Sequence, residues 1–186
     1  MLDGPMPSAL ALRRLTLADV PRIAEFEREI AVISFPEDPV TDLGFYERKL
    51  RATVDDARSD AIIAEIGGEI AGWAWLAERE NFTTKERYGD LRSFYIAAPF
   101  RGAAPALALM RALIERGREQ GYARIVGRTA ATNEAMQAVY ALTGFTAKHV
   151  TYEMRLETDG LAQPRPRPFR TPARSGGSRR RGSPAP

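Results

Sequence analysis

The chain has 186 residues, of which 44% are apolar and 27% are charged, a composition typical of one globular domain. It contains no Cys and a single His, His149, which excludes a disulfide framework, a thiolate metal site and a Cys nucleophile. No apolar run approaches the roughly 20 residues that cross a bilayer, and the first ten residues lack the basic start of a secretory signal. We therefore expect a cytoplasmic protein.

The net charge of +3 conceals an asymmetry between the body of the chain and its C-terminal end. Seven Arg and one Asp give residues 159–186 a charge of +6, which leaves −3 for the rest. The same stretch holds six Pro and four Gly, a composition that favours extended, solvated chain. We predict a folded domain at 1–157 and a disordered Pro/Arg-rich basic tail at 158–186. The alternative for the tail is weak nonspecific contact with nucleic acid.

Hydrophobic periodicity predicts a strand followed by two helices at the start of the body. The strand covers residues 9–14. Thr16 and Asp19 approach a capping box and begin an amphipathic helix over residues 17–34. A second helix begins after Thr41, and its expected apolar contacts are Phe45, Leu50 and Val54.

A β-hairpin is predicted next, because residues 60–66 and 69–76 flank Gly67 and Gly68, a dipeptide that supplies the positive φ of a tight turn. Trp73 and Trp75 are two residues apart and so share one face of the return strand. Packing beneath a helix is one interpretation of this pair, and lining a pocket is the other.

The remainder of the body is predicted to alternate strands with helices. Gly121 and Gly144 end the two helices. The element order is β-α-α-β-β-β-α-β-α-β, a mixed α/β arrangement with an antiparallel meander and a crossover helix. The predicted elements are a loop at 78–89, a strand at 91–96, a helix at 103–120, a strand at 123–129, a helix at 133–142 and one or two closing strands at 145–156.

The junction between the third long strand and the long helix is the first candidate site. Free N–H groups and the positive end of the helix dipole meet there, and Arg101 adds a full charge. This arrangement favours an anionic phosphate. The junction lacks the Gly-Lys-Ser/Thr of a P-loop and the glycine spacing of a dinucleotide fingerprint.

This junction resembles the acyl-CoA pyrophosphate loop of the GNAT superfamily of N-acetyltransferases. The matching residues are Arg101-Gly-Ala-Ala-Pro-Ala106, preceded by Tyr95-Ile96 and Pro99. The stretch from Asn133 to Phe145, a helix that carries Tyr140 and ends in Gly-Phe, is similar to the family's second signature. The resemblance extends over residues 8–157 and includes both edges of the predicted domain.

The resemblance implies a mixed central sheet of six to seven strands flanked by about four helices. It also implies direct transfer of an acetyl group from the cosubstrate acetyl-CoA to a primary amine, in a monomer or homodimer with no membrane contact and no metal. The cofactor-binding residues that it implies are Tyr95, Ile96, Arg101, Gly102, Ala103, Ala104, Ala106 and Asn133.

Two of the implied residues have both a catalytic and a structural interpretation. Tyr140 would be the general acid that protonates the leaving thiolate, or else a half-buried helix aromatic. Asn133 would bind the cofactor arm, cap the last helix, or do both.

The sequence departs from the family pattern at two places. Ala104 replaces a usual Gly, and Pro105 lacks an N–H, which together call cofactor affinity into question. Arg92 and Arg128 stand where relatives often place a carboxylate that acts as the general base. Water, Glu29, Glu37 or Asp90 would then have to deprotonate the amine.

These two arginines suggest an anionic or zwitterionic amine as the acceptor, unless they point to solvent or pair with Glu65, Glu69 or Asp90. Two alternatives to an active enzyme stay open. One is a catalytically impaired GNAT-like domain that binds acyl-CoA or a partner. The other is an unrelated α/β module whose tail contacts nucleic acid.

Overall fold

The computed structural model describes residues 10–154, which form a five-stranded sheet with helices on both faces. Two short 3-10 turns, Leu17–Asp19 and Ala98–Phe100, precede the first and third helices. The strands are β1 (Leu10–Arg14), β2 (Ser59–Ile66), β3 (Glu69–Glu80), β4 (Arg87–Ile96) and β5 (Ile125–Val126), and the helices are α1 (Val20–Ser34), α2 (Leu43–Val54), α3 (Ala103–Glu119) and α4 (Glu134–Leu142).

The strands lie in sequence order, and all neighbours are antiparallel except β4 and β5, which are parallel. A bulge in β4 leaves Arg92 without a partner on β3, between the pairs Leu76–Leu91 and Trp75–Ser93. Only Gly89 and Asp90 of β4 are paired with β5. From residue 91 onward β4 therefore continues with no β5 residue beside it, and the sheet has a gap there.

The start of α1 is fixed by the predicted Thr16–Asp19 interaction. The Asp19 carboxylate accepts from the Thr16 backbone N–H at 2.8 Å and from the Thr16 hydroxyl at 2.7 Å. Arg13 of β1 forms a bidentate pair with the same carboxylate, with both distances 2.7 Å. This guanidinium, with help from Thr16, lowers the pKa of Asp19 to about 2, so the carboxylate is ionised at any physiological pH.

The second helix begins one residue later than the sequence suggests. Asp42, not Thr41, is its N-cap, and the Asp42 side chain accepts from the Gly44 N–H at 2.9 Å. Leu50 is buried as expected, but Phe45 is 45% exposed and Tyr46 takes its place in the core. A carboxylate is as effective a cap as a hydroxyl, so neighbouring capping residues compete for the same position.

Two apolar clusters separate the faces of the sheet. Helices α1 and α2 cover one face, where Phe26, Leu50 and Trp73 are fully buried. Helix α3 covers the other face with Leu109, Met110 and Leu113, and α4 adds Met136, Val139 and Tyr140 at the periphery. We call these the α1/α2 face and the α3/α4 face.

Three sequence-based expectations need correction. The predicted loop at 78–89 is mostly strand, because the ion pair of Glu78 with Arg87 stabilises the extended arms of β3 and β4 across the strands. The strand at 123–129 shortens to two residues. The closing strands at 145–156 are absent within 145–154, where Val150, Tyr152 and Met154 are exposed and offer no buried face to hold a strand.

The strand count of six to seven is consequently not confirmed, since residues 10–154 contribute five. The predicted boundary after residue 157 and the basic tail at 158–186 lie outside the described residues. None of the helices within 10–154 is long and apolar enough to cross a membrane.

Candidate functional site

The N-terminus of α3 is open to solvent at the end of the β4 turn. Residues 101–104 are exposed, whereas the Ala106 side chain is buried. The N-cap Gly102 has extended backbone, and a Cβ added there would meet nothing within 4 Å. Pro105 lies in the first turn, where helix N–H groups have no carbonyl partner, so its missing donor leaves the helix intact. The remaining N–H groups and the dipole make this end suitable for an anion.

Arg101 does not extend into that solvent space but folds back onto β4. Its Nε donates to the Ile96 carbonyl at 3.4 Å and its terminal nitrogen donates to the Tyr95 hydroxyl at 3.4 Å. The guanidinium carbon lies 5.9 Å from the centre of the Tyr95 ring. The charge is therefore held between the end of β4 and the start of α3, next to two of the residues that the sequence places on the cofactor.

The Tyr95 hydroxyl in turn donates to Glu29 of α1. Burial and the Glu29 hydrogen bond raise the pKa of Tyr95, and Arg101 partly offsets this rise. A chain of contacts thus leads from the N-terminus of α3 to a carboxylate on the α1/α2 face.

Tyr140 lies in α4 on the opposite face, against the ring of Phe145 at a centroid distance of 4.9 Å. Its hydroxyl donates to the Arg128 carbonyl at 3.3 Å, just after the last β4–β5 pair. Burial, the main cause, raises the pKa of Tyr140 to about 12, with Arg128 opposing the rise and Asp90 adding to it. The phenol consequently keeps its proton throughout the physiological pH range.

Gly127 determines where that hydroxyl sits. A Cβ at this position would lie 2.2 Å from the Tyr140 oxygen and 2.6 Å from the adjacent ring carbon. Because any side chain here would push the ring away, the missing Cβ at Gly127 is what lets Tyr140 reach the Arg128 carbonyl.

Asn133 caps α4, as one of the two interpretations of the sequence predicted. Its Oδ1 accepts from the Met136 N–H at 3.0 Å. The cap uses only the oxygen of the side chain, so the two amide N–H donors take no part in it. The structural role of Asn133 is therefore shown, and its role toward a cofactor stays a prediction.

Arg92 and Arg128 both pair with Asp90, which was one of the alternatives open from the sequence. Arg92 lies 3.1 Å and Arg128 lies 2.8 Å from this buried carboxylate, and Arg79 of β3 approaches to 3.8 Å. Both oxygens of Asp90 are thus engaged by guanidinium groups.

A second buried polar cluster on the α1/α2 face escaped the sequence analysis. Glu27 of α1 accepts from the Ser93 hydroxyl at 2.6 Å and pairs with Lys49 of α2 at 3.2 Å. The readable signal was that Glu27 follows Ile23 by four residues and so falls on the buried stripe of α1. Trp73 and Trp75 are both buried on this face, which supports the packing interpretation of the pair.

Comparison with known protein families identifies the arrangement. The sequence model of the "Acetyltransferase (GNAT) family" matches residues 20–145, a span that includes both faces of the sheet and all the candidate residues. No curated protein sequence matches the chain.

Several solved structures share this fold, and the similarity extends over nearly the whole length of each of them. A ribosomal-protein-alanine N-acetyltransferase from Brucella melitensis biovar Abortus 2308 is 18% identical with a TM-score of 0.61, over 80% of this chain and 100% of that one. An aminoglycoside acetyltransferase from an uncultured soil metagenomic sample is 15% identical with a TM-score of 0.62, over 80% and 95%.

A predicted acetyltransferase from Clostridium acetobutylicum, solved with acetyl-CoA, is 17% identical with a TM-score of 0.66, over 79% of this chain and 96% of that one. Identities this low establish a shared fold and nothing finer. The family match removes the unrelated α/β module from consideration. The structure agrees with this match, since β4 leads to the exposed N-terminus of α3 and Tyr140 lies beside the gap in the sheet. The match shows that the chain belongs to the GNAT acetyltransferase family.

Proposed function

We propose that the protein moves an acetyl group from acetyl-CoA to a primary amine by direct attack, without a covalent enzyme intermediate. The observation that carries this proposal is the gap in the sheet, where β4 has no β5 partner from residue 91 onward. The gap leads at one end to the N-terminus of α3 and has the Tyr140 hydroxyl near its other end. A cofactor lying along β4 would reach both.

In this proposal the N–H groups of Gly102, Ala103, Ala104 and Ala106 hold the diphosphate of the cofactor, and Arg101 supplies the full charge. The open space in front of Gly102 supports this assignment.

The cofactor arm follows the end of β4, where the backbones of Tyr95 and Ile96 are its nearest hydrogen-bonding groups. Asn133 contributes its amide N–H groups from the start of α4.

The chemistry forms one C–N bond and breaks one C–S bond. The neutral amine nitrogen attacks the thioester carbonyl carbon, the C–N bond forms, the nitrogen loses its surplus proton to solvent, and the C–S bond then breaks. Tyr140 donates its proton to the departing thiolate sulfur, which is the role that a phenol held in its protonated state suits. Positioning is the main requirement, because a phenol with a pKa of about 12 gives up its proton less readily than an ordinary one.

The amine must lose a proton before it attacks, and we assign that step to Glu29. Its Oε2 accepts from Tyr95 on the α1/α2 face of β4, which places a carboxylate beside the strand along which the cofactor is proposed to lie. Exchange of Glu29 for Gln should lower turnover near neutral pH and leave it closer to wild type at high pH, where more of the amine is already neutral. Glu25→Gln, on the same helix but paired outward with Arg22, is the matched control and should change neither.

Calorimetric titration of the full chain with acetyl-CoA, followed by a thiol-release assay with a panel of amines, tests the proposal. Binding together with amine-dependent thiol release supports it. Binding without release would favour an acyl-CoA-binding domain that lacks catalysis, and the absence of both would contradict the assignment of the cofactor site.

A further inference from the structure

Two arginines flank the point at which β4 and β5 separate. Arg92 is the bulged residue of β4, two positions after the last paired residue of that strand, and Arg128 follows Val126 of β5 by two positions. The bulge frees Arg92 from the strand pairing and re-aims its side chain. Both guanidinium groups bind the Asp90 carboxylate, which lies at the base of the gap.

The charges at this place do not balance. One carboxylate, only 3% exposed, faces Arg92, Arg128 and the more distant Arg79. A single pair would neutralise Asp90, so the cluster carries a surplus of two positive charges. No other acidic side chain within residues 10–154 forms an ion pair with Arg92 or Arg128.

The two guanidinium groups also retain N–H donors that the hydrogen bonds to Asp90 do not use. In the described contacts each uses one terminal nitrogen on the carboxylate, although an Arg side chain has five N–H donors in a planar fork. The side chains are 40% exposed for Arg92 and 70% exposed for Arg128. A second small anion can therefore bind to the same pair from the solvent side.

The cluster lies at the transfer end of the proposed site, away from the N-terminus of α3. The Arg128 carbonyl accepts from Tyr140, the residue proposed to protonate the thiolate. Asp90 is paired with Ala77 of β3, which belongs to the α1/α2 core, so the carboxylate lies on that face. Glu29 of α1 contacts β4 on this same side.

We propose that the acceptor amine carries a carboxylate of its own, which Arg92 and Arg128 bind while Asp90 positions them. Each guanidinium group presents a planar fork of donors that matches the geometry of a carboxylate. The surplus positive charge repels polycationic amines. The substrate class is thus a small amino acid or short peptide-like amine with a free carboxylate. The inference rests on the proposed acetyl transfer, since it names the acceptor of that reaction.

The test compares matched acceptors that differ only in this group, such as an amino acid and its amide, or a dipeptide and its amide. Thiol release is measured on wild type, on Arg92→Gln, on Arg128→Gln and on the double variant. Arg124→Gln is the control, because Arg124 is a part-exposed arginine that pairs with Glu86 and not with Asp90. All three altered side chains are at least 40% exposed, and a thermal melt checks that each variant is folded.

We expect wild type and Arg124→Gln to favour the acid over the amide by about tenfold or more in kcat/KM, mainly through KM. The double variant should lose that preference, because its kcat/KM should fall much further for the acids than for the amides. Robust acetylation of acids and amides alike by wild type would overturn the inference and leave the proposed acetyl transfer standing. Failure of every amine to release thiol would overturn both.

Discussion

The two faces of β4 are built from different kinds of side chain. On the α3/α4 face Leu91 packs against Leu109 and its apolar neighbours. On the α1/α2 face Asp90, Ser93 and Tyr95 are buried but hold charged partners. Buried polar groups cost stability unless they are satisfied, so the satisfied polar groups of β4 mark the α1/α2 face as the side where we place the acceptor and its base.

The comparison also assigns a different kind of sensitivity to each face. Changes on the apolar face should alter the free energy of unfolding without altering substrate preference. Changes around the gap should alter binding or turnover while the fold persists. The predictions below separate these two outcomes.

The largest effect is expected on the apolar face. Leu109 is fully buried, and Leu109→Ala should lower the free energy of unfolding by about 2–5 kcal/mol through lost burial and the cavity left behind. Chemical denaturation measures the loss. The folded fraction of Leu109→Ala should keep the wild-type preference for acid over amide acceptors. If that preference changed by as much free energy as the stability does, the two faces would not be functionally distinct.

Tyr140→Phe should reduce kcat by about 100-fold or more, the usual contribution of a positioned general acid. The ring packing against Phe145 is kept, so the affinity for acetyl-CoA should stay near that of wild type. Because the pKa of Tyr140 is raised to about 12, the phenol is protonated at every pH below that, and loss of its proton should cause no decline in wild-type turnover between pH 8 and 10. A decline there would contradict its role.

Gly127→Ala offers a second way to test the same hydroxyl, by moving it out of position instead of deleting it. The added methyl should displace the Tyr140 ring and lower kcat. In the double variant Gly127→Ala, Tyr140→Phe the loss should be no greater than in Tyr140→Phe alone, since both changes act on one group. Additive losses would show that Gly127 acts through something other than the tyrosine.

The next prediction concerns the end of the gap nearest α3. Arg101→Ala should weaken acetyl-CoA binding by about 1–3 kcal/mol, the range for a charge-assisted hydrogen bond. Arg111→Ala, an exposed arginine further along the same helix, should leave the affinity unchanged in the same titration. Ala104→Gly should tighten binding if the methyl group crowds the phosphate. Equal affinities for Arg101→Ala and wild type would place the diphosphate elsewhere.

The last expected effect lies outside both faces, at the start of α1, and leaves substrate binding and turnover untouched. The pKa of Asp19 is lowered from 3.8 to about 2 by Arg13, so its stabilising contribution is present above pH 4 and is lost as the pH falls toward 2. Asp19→Asn should therefore cost about 2 kcal/mol at neutral pH and almost nothing at pH 2. Asp38→Asn, in the exposed loop after α1, is the control. A constant difference across the pH range would contradict the linkage.

Local patterns made much of the fold predictable. The Gly67-Gly68 turn, the apolar stripe of α3 and the Asn133 cap are each specified by residues close in sequence. The arms of β3 and β4 were mistaken for a loop because their side chains are polar, and their stability comes from pairing with each other across the strands.

The candidate site was predictable only where it is local. The N-terminus of α3 and Tyr140 stand out in the sequence together with the family resemblance, and their roles stay proposals. The partners of Asp90 could not be foreseen, since Arg128 lies 38 residues away. The same holds for Ser93 and Glu27, which are 66 residues apart and meet only once α1 packs on β4. Such pairs depend on strand register, which sequence patterning fixes weakly at a bulge.

The central claim is that a cofactor lies along β4 from the gap to the N-terminus of α3. Backbone amide NMR of the full chain during titration with acetyl-CoA tests it most directly. We expect the largest shifts at residues 91–96, 102–104 and 106, with little change in β1 and β2. Shifts confined to the end of α3 around Arg118 and the end of α4 around Leu142 would contradict the claim.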